Sequence, residues 1–389
     1  MRILLSCLQG PTSHPVPAYG FWRLYFVQGL REAGHEVIEV PGVDWAEGLV
    51  HPAGRYLDEW RGRTWSAVED FVKRELRARP IDLFLCYLFP RQVDVSAIRE
   101  LQRLGIPCVN FFCDNLREFR KVPAEFQPFA LHWVPEIEAA PLYRTAGLPY
   151  LRAPMPCWIP PDLRTTPTQD REPATFIGSA DVLRQNLFGE AVQSGAELVL
   201  RGAGWNSMSA RHRQSGERLS VGNTIANQLK VARDRGLRDL YFKLYNRLRP
   251  VALPPIPESS VGGPVSDDEY LRISREAVVT IGVSRVSTTK ASDRKPIVYS
   301  RLRDVEAPML GACYLTEWTE DVAALYELGT EIETYRTAEE LAAKLRDLQR
   351  DPMRRSAMRR LAQRRALDEH QIPRTLGKIQ SLLGLPVAA

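Results

Sequence analysis

Six basic residues lie in one loop of the second half of the sequence, between Ser284 and the start of a helical pattern near Val305. They are Arg285, Lys290, Arg294, Lys295, Arg301 and Arg303. Fixed cations, together with backbone N–H groups at a helix N-terminus, stabilise the negative charge that grows on a departing pyrophosphate. The loop therefore predicts a diphosphate site, with Lys290, Arg294, Lys295 and Arg303 as its donors. The plainer interpretation of each lysine or arginine is a solvated loop charge.

Two further residues are candidates for the same site. Glu306 lies in the first turn of the helix after the loop, where its carboxylate is placed to accept hydrogen bonds from ribose hydroxyls. Arg184 lies near the start of another predicted helix, after a strand that leads into Gly178 and Ser179. The plainer interpretation makes Glu306 an i,i+3 partner of Arg303 on a solvated helix face, and Arg184 a surface residue.

Two residues of the first half are candidates for a catalytic base. Asp114 comes directly after the apolar run 108–112, so it lies at the carboxyl edge of a sheet if that strand is parallel. His14 lies in the loop after the first strand, where Gly10 lets the backbone approach an acceptor. A carboxylate or a histidine is what general-base activation of a hydroxyl requires. The alternative for Asp114 is a capping residue of a loop.

The composition is that of an ordinary globular protein. The 389 residues are 44% hydrophobic and 25% charged, with a formal net charge of +5. This mild basicity is compatible with phosphates, anionic lipid or nucleic acid and selects none of them. No apolar run approaches the ~18–20 residues of a membrane-spanning helix, and the N-terminus lacks the long apolar region of a secretion signal. We therefore expect a cytoplasmic protein, peripheral at the inner membrane face if its basic segment binds lipid.

The cysteines and acidic residues give no sign of a metal site. The six cysteines include no Cys-x-x-Cys pair, and four of them lie in apolar, strand-like runs where a reduced thiol acts as a small hydrophobe. No Asp-x-Asp sequence occurs that would hold a metal ion on a pyrophosphate. The sequence predicts a protein without disulfides, metal or cofactor, in which basic side chains neutralise the phosphates.

Strand and helix patterns alternate along the first 150 residues. The helical patterns include 65–77 and 96–104, and Gly34 and Gly105 follow helical patterns as C-terminal caps. The strand-like runs are 3–7, 37–40, 82–88, 108–112 and 131–134. Because these runs are apolar rather than alternating, they favour a parallel sheet covered by helices on both faces. Residues 1–150 are therefore predicted to form a Rossmann-like domain that binds the acceptor.

A second alternation of strands and helices follows a proline-rich stretch. We expect a linker at 151–173 and a second Rossmann-like domain at 174–370, with the tail 371–389 packing back on the first domain. Within this domain, the segment Arg211–Arg249 carries ten Lys or Arg against three acidic residues. It predicts a basic helical insertion at about 206–260, which would contact an anionic membrane surface or glycan or serve as a solvated arm.

The motifs of the second half resemble those of the CgeB-like glycosyltransferases, a group 1-type family. The resemblance rests on Phe176-Ile177-Gly178-Ser179, Arg184, Val199-Leu200-Arg201-Gly202-Ala203-Gly204-Trp205, Arg303-Asp304-Val305-Glu306-Ala307, Leu315-Thr316 and Tyr335. It implies the GT-B fold, with two Rossmann-like domains that face each other across a cleft. It also implies donor-binding roles for Gly178, Ser179, Arg184, Arg303, Glu306 and Thr316, the glutamate at the ribose. Where retaining members carry a second glutamate, eight residues before Glu306, this chain has Val298, so the stereochemical outcome stays open.

The resemblance implies an enzyme that transfers a sugar from a nucleotide-diphosphate sugar to a hydroxyl of a glycan, a lipid-linked acceptor or a protein. Two alternatives remain: a catalytically inactive nucleotide- or glycan-binding protein, and a nucleotide-sugar epimerase on the same fold. Nucleic acid is not expected as a partner, because few aromatic residues accompany the basic ones. The base, the sugar, the acceptor and the oligomeric state are not specified by the sequence.

Overall fold

The computed structural model describes residues 1–12, 14, 19–51, 53–205, 237–251, 253–288 and 290–386. The chain divides into two compact units. The first comprises Met1–Ile159 and Leu367–Ala389, and the second comprises Pro160–Ala366. Residues 206–236, which make up most of the predicted basic insertion, lie outside the described residues. Among the residues that are described, no helix is both long and apolar enough to cross a membrane.

The first unit is built on a six-stranded parallel sheet with the order β2-β1-β3-β4-β5-β6. Its strands are short and almost wholly buried at the centre, which explains their continuous apolar runs. They are β1 (Arg2–Ser6), β2 (Glu36–Ile38), β3 (Leu83–Cys86), β4 (Cys108–Phe111), β5 (Leu131–Val134) and β6 (Tyr150–Arg152). The predicted strands of this unit are confirmed. Strand β6, at the start of the predicted linker, was not predicted. It is an edge strand whose side chains are partly or fully exposed, so it shows no apolar run in the sequence.

Helices connect these strands and cover the sheet. Helix α3 begins at Arg55, ten residues before the predicted start. The first turns were not predicted because they are mostly exposed and polar. The last helix packs on α1, where Ile372 fills the space beside Gly29. The helices are α1 (Tyr19–Glu32), α2 (Glu47–Val50), α3 (Arg55–Glu75), α4 (Val95–Arg103), α5 (Asn115–Glu118), α6 (Ala140–Thr145) and, at the chain end, α14 (Ile372–Leu383).

The second unit contains a five-stranded parallel sheet with the order β13-β12-β9-β7-β8. Its strands are β7 (Thr175–Ile177), β8 (Val199–Arg201), β9 (Thr280–Ile281), β12 (Tyr314–Glu317) and β13 (Glu333–Tyr335). A separate antiparallel hairpin, β10 (Arg285–Val286) and β11 (Ile297–Val298), lies within the predicted basic loop. The hairpin was not predicted because two-residue strands leave no periodicity to detect.

Helices connect the strands of the second unit and follow its last strand. They are α7 (Val182–Gln193), α8 (Leu237–Leu248), α9 (Asp267–Glu276), α10 (Arg303–Met309), α11 (Glu320–Leu325), α12 (Ala338–Arg350) and α13 (Pro352–Glu369). Helix α9 starts with a reciprocal capping box between Ser266 and Glu269, which fixes its first turn. Helix α8 is the described part of the basic segment, and Asn246 on it hydrogen-bonds the backbone of Ala291 and Asp293.

Both sheets share one topology, in which the second strand lies outside the first and the remaining strands continue on the other side. The direction of winding therefore reverses between β1 and β3 in the first unit and between β7 and β9 in the second. In open parallel sheets of this kind, ligands bind beyond the carboxyl ends of the strands at the point of reversal. We therefore expect ligands at the loops after β1 and β7.

Gly202 brings the loop after β8 against the loop after β7. Its φ is +124°, and a Cβ at this position would lie 2.5 Å from the carbonyl oxygen of Gly178. We expect Gly202→Ala to lower the free energy of unfolding by about 1–3 kcal/mol, because it adds both backbone strain and a steric clash. Urea denaturation of the purified variant measures this loss.

Gly263 provides the matched control, because a Cβ there would meet nothing within 4 Å. Gly263→Ala should change the free energy of unfolding by less than about 0.5 kcal/mol. Equal unfolding midpoints for the two alanine variants would contradict the close approach assigned to Gly202.

Candidate functional site

Gly178 and Ser179 form the turn after β7, at the point of reversal of the second sheet. The Gly178 carbonyl accepts a hydrogen bond from Trp205 Nε1 at 2.8 Å, so the turn is held from the side of β8. Asp181 then caps helix α7 by accepting from the backbone of Arg184 at 2.9 Å. Gly178 and Ser179 thus lie in the turn at the carboxyl edge of the sheet, and Arg184 lies in the first turn of α7, where its Nη1 donates to the Ser179 carbonyl at 2.7 Å.

Two of the predicted arginines lie over the ring of Phe176. The guanidinium carbons of Arg184 and Arg303 lie 5.4 and 5.5 Å from its centroid. Arg303 also lies 5.6 Å from the ring of Tyr270. Aromatic faces attract guanidinium groups and hold them flat, with their N–H groups directed outward along the edge. Two cations from elements far apart in sequence are thus oriented around one buried ring.

Glu306 contacts Tyr270, the ring beside Arg303. It is 3% exposed, and its Oε2 accepts a short hydrogen bond from the Tyr270 hydroxyl. Burial and the neighbouring Glu306 carboxylate raise the pKa of Tyr270 well above its usual range, so the phenol remains a donor. Tyr270 therefore links Glu306 to Arg303.

Asp304 holds the start of helix α10 in place and is the polar centre of this unit. Its Oδ2 accepts from Ser300 Oγ at 3.0 Å and from the Arg301 backbone at 2.7 Å. Its Oδ1 accepts from Tyr314 Oη at 2.7 Å and from Thr316 Oγ1 at 2.9 Å. Burial raises the pKa of Asp304, and these four donors oppose that rise. No role for Asp304 is predicted from the sequence, because its partners come together only in the folded sheet.

Thr316 differs from its predicted role at the donor. It is fully buried, and its hydroxyl donates to Asp304 rather than opening onto a ligand surface. The reason is topological: Thr316 lies inside β12, whereas ligands in such sheets meet the residues beyond the strand ends. Its contribution is therefore to position Asp304.

Arg301 adds a third cation to the cluster. Its Nη1 donates to the Tyr299 hydroxyl at 2.7 Å, and its guanidinium lies 5.1 Å from that ring. Burial lowers the pKa of Arg184, and the like charges of Arg303 and Arg301 lower it further, opposed by Asp181. We call Arg184, Arg301 and Arg303 the arginine cluster. An anion bound there would relieve the repulsion within it.

The basic loop before Arg301 is less uniform than its sequence indicates. Arg285 forms a bidentate pair with Glu317, at 3.0 and 2.6 Å, and Glu317 also accepts from the backbone of Ser284 and Arg285. This buried pair closes the hairpin onto β12. The predicted donors Lys290, Arg294 and Lys295 lie in the connection between β10 and β11, and the last two are exposed.

In the first unit, the predicted base His14 has a partner that the sequence did not reveal. Its Nε2 lies 2.8 Å from Asp44 Oδ2, in the loop after β2. A Cβ on Gly10 would overlap the same carboxylate, so the glycine makes room for Asp44 instead of for a ligand. Burial tends to raise the pKa of Asp44, but hydrogen bonds from Thr12 and His14 outweigh it and lower the pKa.

Asp114, the other predicted base, is half-buried at the start of α5, and its side chain makes no cap hydrogen bond to that helix. The next residue, Asn115, donates from its backbone and side chain to Glu136 at 2.9 and 2.6 Å, and accepts from Tyr143. Burial raises the pKa of Glu136 to about 8, hydrogen bonds from Asn115 oppose the rise, and the Asp114 charge adds to it.

One family model matches the sequence. It is described as "Glycosyl transferase-like" and covers residues 233–381. A comparison with curated proteins finds no match.

Solved structures resemble the chain over its whole length at low identity. Sucrose-phosphate synthase from Thermosynechococcus elongatus is 13% identical with a TM-score of 0.57, and the match covers 98% of each chain. Anabaena HepE in complex with UDP is 13% identical with a TM-score of 0.57, covering 99% of this chain and 100% of HepE. AviGT4, a glycosyltransferase of avilamycin A biosynthesis, is 15% identical with a TM-score of 0.51 over 98% of each chain. The predicted GT-B fold, with two Rossmann-like units, is confirmed.

The raised pKa of Glu136 generates a prediction for stability. Between its ordinary value of 4.5 and about 8 the folded protein binds a proton that the unfolded chain has released. The free energy of unfolding should therefore fall as pH rises through this window, by at most about 1.4 kcal/mol per pH unit from this group. Glu136→Gln, which carries no titrating proton, should flatten that part of the profile.

Urea unfolding at a series of pH values between 4.5 and 8 measures this dependence. Glu118→Gln, an exposed carboxylate of α5, is the control and should leave the slope of the wild type unchanged. If Glu136→Gln and the wild type give parallel profiles, Glu136 is already ionised throughout the window.

Proposed function

We propose that this chain, a glycosyltransferase of the GT-B fold, binds a uridine-diphosphate sugar in its second unit and transfers the sugar to a hydroxyl acceptor held by its first. The activity class follows from the glycosyl transferase-like segment and the shared fold. The observation that carries the donor proposal is the arginine cluster at the point of reversal of the second sheet. UDP is proposed as the nucleotide because HepE, which has this fold, has been solved with it.

The arginine cluster suits a diphosphate in both charge and geometry. Guanidinium groups hydrogen-bond phosphate oxygens in pairs, and aromatic stacking holds Arg184 and Arg303 in place before the ligand arrives. As the glycosidic bond breaks, charge accumulates on the leaving diphosphate, which these fixed donors stabilise without reorganisation. The turn at Gly178 and Ser179 adds the N-terminus of the 12-residue helix α7.

Glu306 is proposed to bind the ribose, as its place in the family motif implies. Its Oε2 is shared with Tyr270, so a ribose hydroxyl would compete with or complete that hydrogen bond. Lys290, Arg294 and Lys295 are proposed to attract the anionic donor to the site from the hairpin, since exposed charges act mainly through long-range attraction.

The acceptor is proposed to lie over the aromatic side chains at the carboxyl edge of the first sheet. Phe89 and Phe119 are half-buried on either side of Phe112, with ring centroids 5.1 and 5.6 Å from it. Flat ring faces of this kind pack against the apolar faces of a sugar acceptor. Asp114 and His14, the two predicted bases, follow strands at the same edge.

Donor binding can be tested by thermal shift with UDP, GDP, ADP and dTDP, each with and without its sugar. We expect UDP and its sugars to raise the melting temperature most. Arg303→Ala should remove at least about three quarters of that shift, because it deletes a stacked cation that contacts the diphosphate and is worth about 1.5–3 kcal/mol. Glu306→Ala should weaken binding of UDP more than binding of pyrophosphate.

Arg171→Ala is the matched control, because Arg171 is an arginine of the same unit whose side chain is 65% exposed. It should retain the full shift. Absence of stabilisation by all four nucleotides would refute the donor site. Conversion of the donor to its sugar epimer without an acceptor would instead identify an epimerase, and binding without turnover an inactive protein.

Peripheral membrane contact is proposed for helix α8. Tyr241 and Leu248 lie seven residues apart, hence on one face, and are 57% and 79% exposed. Arg247 and Arg249 are exposed beside them, an arrangement that suits an anionic lipid surface.

Sedimentation with vesicles of phosphatidylglycerol and phosphatidylcholine tests this contact. The double variant Tyr241→Ser, Leu248→Ser should reduce the bound fraction about threefold or more, since both lose apolar area that the bilayer would bury. Leu382→Ser, which alters an equally exposed leucine of α14, should sediment like the wild type. Binding that is unaffected by the double variant would exclude α8 as the contact.

A further inference from the structure

Arg336 and Trp318 form a stacked pair beyond the carboxyl ends of two neighbouring strands of the second sheet. Trp318 directly follows β12, Arg336 directly follows β13, and the two strands are paired in parallel. The guanidinium carbon of Arg336 lies 3.5 Å from the centroid of the Trp318 ring, so it contacts the face of the indole. The pair therefore lies at the edge where ligands of such sheets bind.

The backbone of both residues is held by hydrogen bonds. The Trp318 N–H donates to the Tyr335 carbonyl at 2.9 Å, which extends the ladder between β12 and β13 by one residue. The Arg336 N–H donates to Glu340 Oε2 at 2.8 Å, in the first turn of α12. Trp318 is half-buried and Arg336 is exposed, so the guanidinium is open to a ligand. An arginine that is already held flat against an indole loses little further freedom when it binds one.

The charge of this guanidinium is not neutralised by the second unit. Among the residues that the structure describes, none accepts a hydrogen bond from the Arg336 side chain or forms an ion pair with it. The Glu340 carboxylate accepts from the Arg336 backbone instead. By contrast, Arg285 is neutralised in a bidentate pair by Glu317, the last residue of β12. Arg336 thus presents a fork of N–H donors in one plane, a geometry that matches the two oxygens of a carboxylate.

The order of the strands relates this pair to the proposed donor site. That order is β13-β12-β9-β7-β8. Tyr270, which donates to the proposed ribose-binding residue Glu306, is on α9, and α9 packs on β7. In the proposed complex the nucleoside is therefore on the β7 side of the diphosphate, and the sugar extends toward β12. Because neighbouring strands are about 4.8 Å apart, the pair is about 10–15 Å across the sheet from β7, a distance that a diphosphate and a sugar ring together span.

We infer that Arg336 and Trp318 form a subsite for a carboxylate on the donor sugar, so that the substrate is a nucleotide-linked uronic acid rather than a neutral nucleotide sugar. This inference rests on the proposed function and names its substrate class. The guanidinium donates two parallel hydrogen bonds to the carboxylate, and Trp318 holds it in the orientation that these bonds require. A neutral sugar has a hydroxymethyl group at that position, which offers neither the charge nor the second oxygen. Arg336 is thereby a specificity-determining residue of the donor site.

Isothermal titration calorimetry of the full-length protein tests this inference with UDP and two matched pairs of donors. The pairs are UDP-glucuronic acid with UDP-glucose, and UDP-galacturonic acid with UDP-galactose. We expect the acidic member of at least one pair to bind about tenfold or more tightly than its neutral partner, because it gains charge-assisted hydrogen bonds from Arg336. UDP has no sugar, so its Kd reports the contacts of the nucleoside and diphosphate alone.

Three variants assign the preference to the stacked pair. Arg336→Ala should bind acidic and neutral donors within about twofold of each other and keep the wild-type Kd for UDP, which also shows that the variant is folded. Arg336→Lys keeps the charge but not the paired donors, so it should retain only part of the preference. Trp318→Leu removes the surface that orients the guanidinium, so it should reduce the preference about threefold while UDP still binds.

Arg350→Ala is the matched control. Arg350 is an exposed arginine at the other end of α12, about 18 Å along the helix from its first residue. This variant loses the same charge from the same unit, and it should keep the wild-type preference in full.

The result for UDP separates this inference from the proposed function. If the wild type binds UDP but binds acidic and neutral donors equally, or if the preference survives Arg336→Ala, the uronic acid subsite is refuted and the donor site stands. Loss of UDP binding in Arg336→Ala would assign Arg336 to the diphosphate and also refute the subsite. If the wild type binds none of the five compounds, the proposed function fails together with the inference. A preference for an acidic donor that Arg336→Ala removes and Arg350→Ala retains supports it.

Discussion

The buried carboxylate of Asp304 is the interaction on which the second unit depends. A charge removed from water at this depth is unfavourable unless donors surround it, and four do. Two of those donors belong to the segment before α10, and two belong to β12. The carboxylate therefore joins the segment that carries Arg301 and Arg303 to the centre of the sheet, and the position of both cations follows from this junction.

The two units share one topology but carry different side chains at the turn where the winding reverses. In each sheet the first strand is followed by a turn at the point where the winding reverses, so a ligand is directed to that turn in both. In the second unit the turn contains Gly178 and is surrounded by arginines that stack on Phe176. In the first, the corresponding loop contains His14 with Asp44, and the rings at the ends of β3 and β4 lie along the same edge.

The sequence predicted the strands well and the partners of the site residues poorly. Buried parallel strands are continuous apolar runs, so 108–112 and 131–134 are visible in the sequence, whereas the hairpin at Arg285 is too short to be seen. The basic loop was recognised as a whole, but nothing local distinguishes Arg285, which a buried glutamate neutralises, from Arg303, which stacks on aromatic rings. The pairing of His14 with Asp44 arises because β1 and β2 are neighbours in the sheet. The two residues are 30 positions apart in the chain, so the sequence does not indicate that they meet.

The arginine cluster holds its guanidinium groups over aromatic rings in the absence of any bound anion. Bringing Arg184, Arg301 and Arg303 together without an anion is unfavourable: burial lowers the pKa of Arg184, and the like charges of Arg303 and Arg301 lower it further, opposed by Asp181. The fold offsets this cost with aromatic faces and with hydrogen bonds such as that from Arg301 to Tyr299, both of which fix the guanidinium groups in direction. A flexible lysine would avoid the repulsion by turning into solvent, and Lys295 on the hairpin is exposed in that way. Asp181, which pairs with Arg184, offsets part of this repulsion, and an anion bound at the cluster would offset more of it. In the proposed transfer reaction this effect would be greatest as the diphosphate leaves, because its negative charge is then largest.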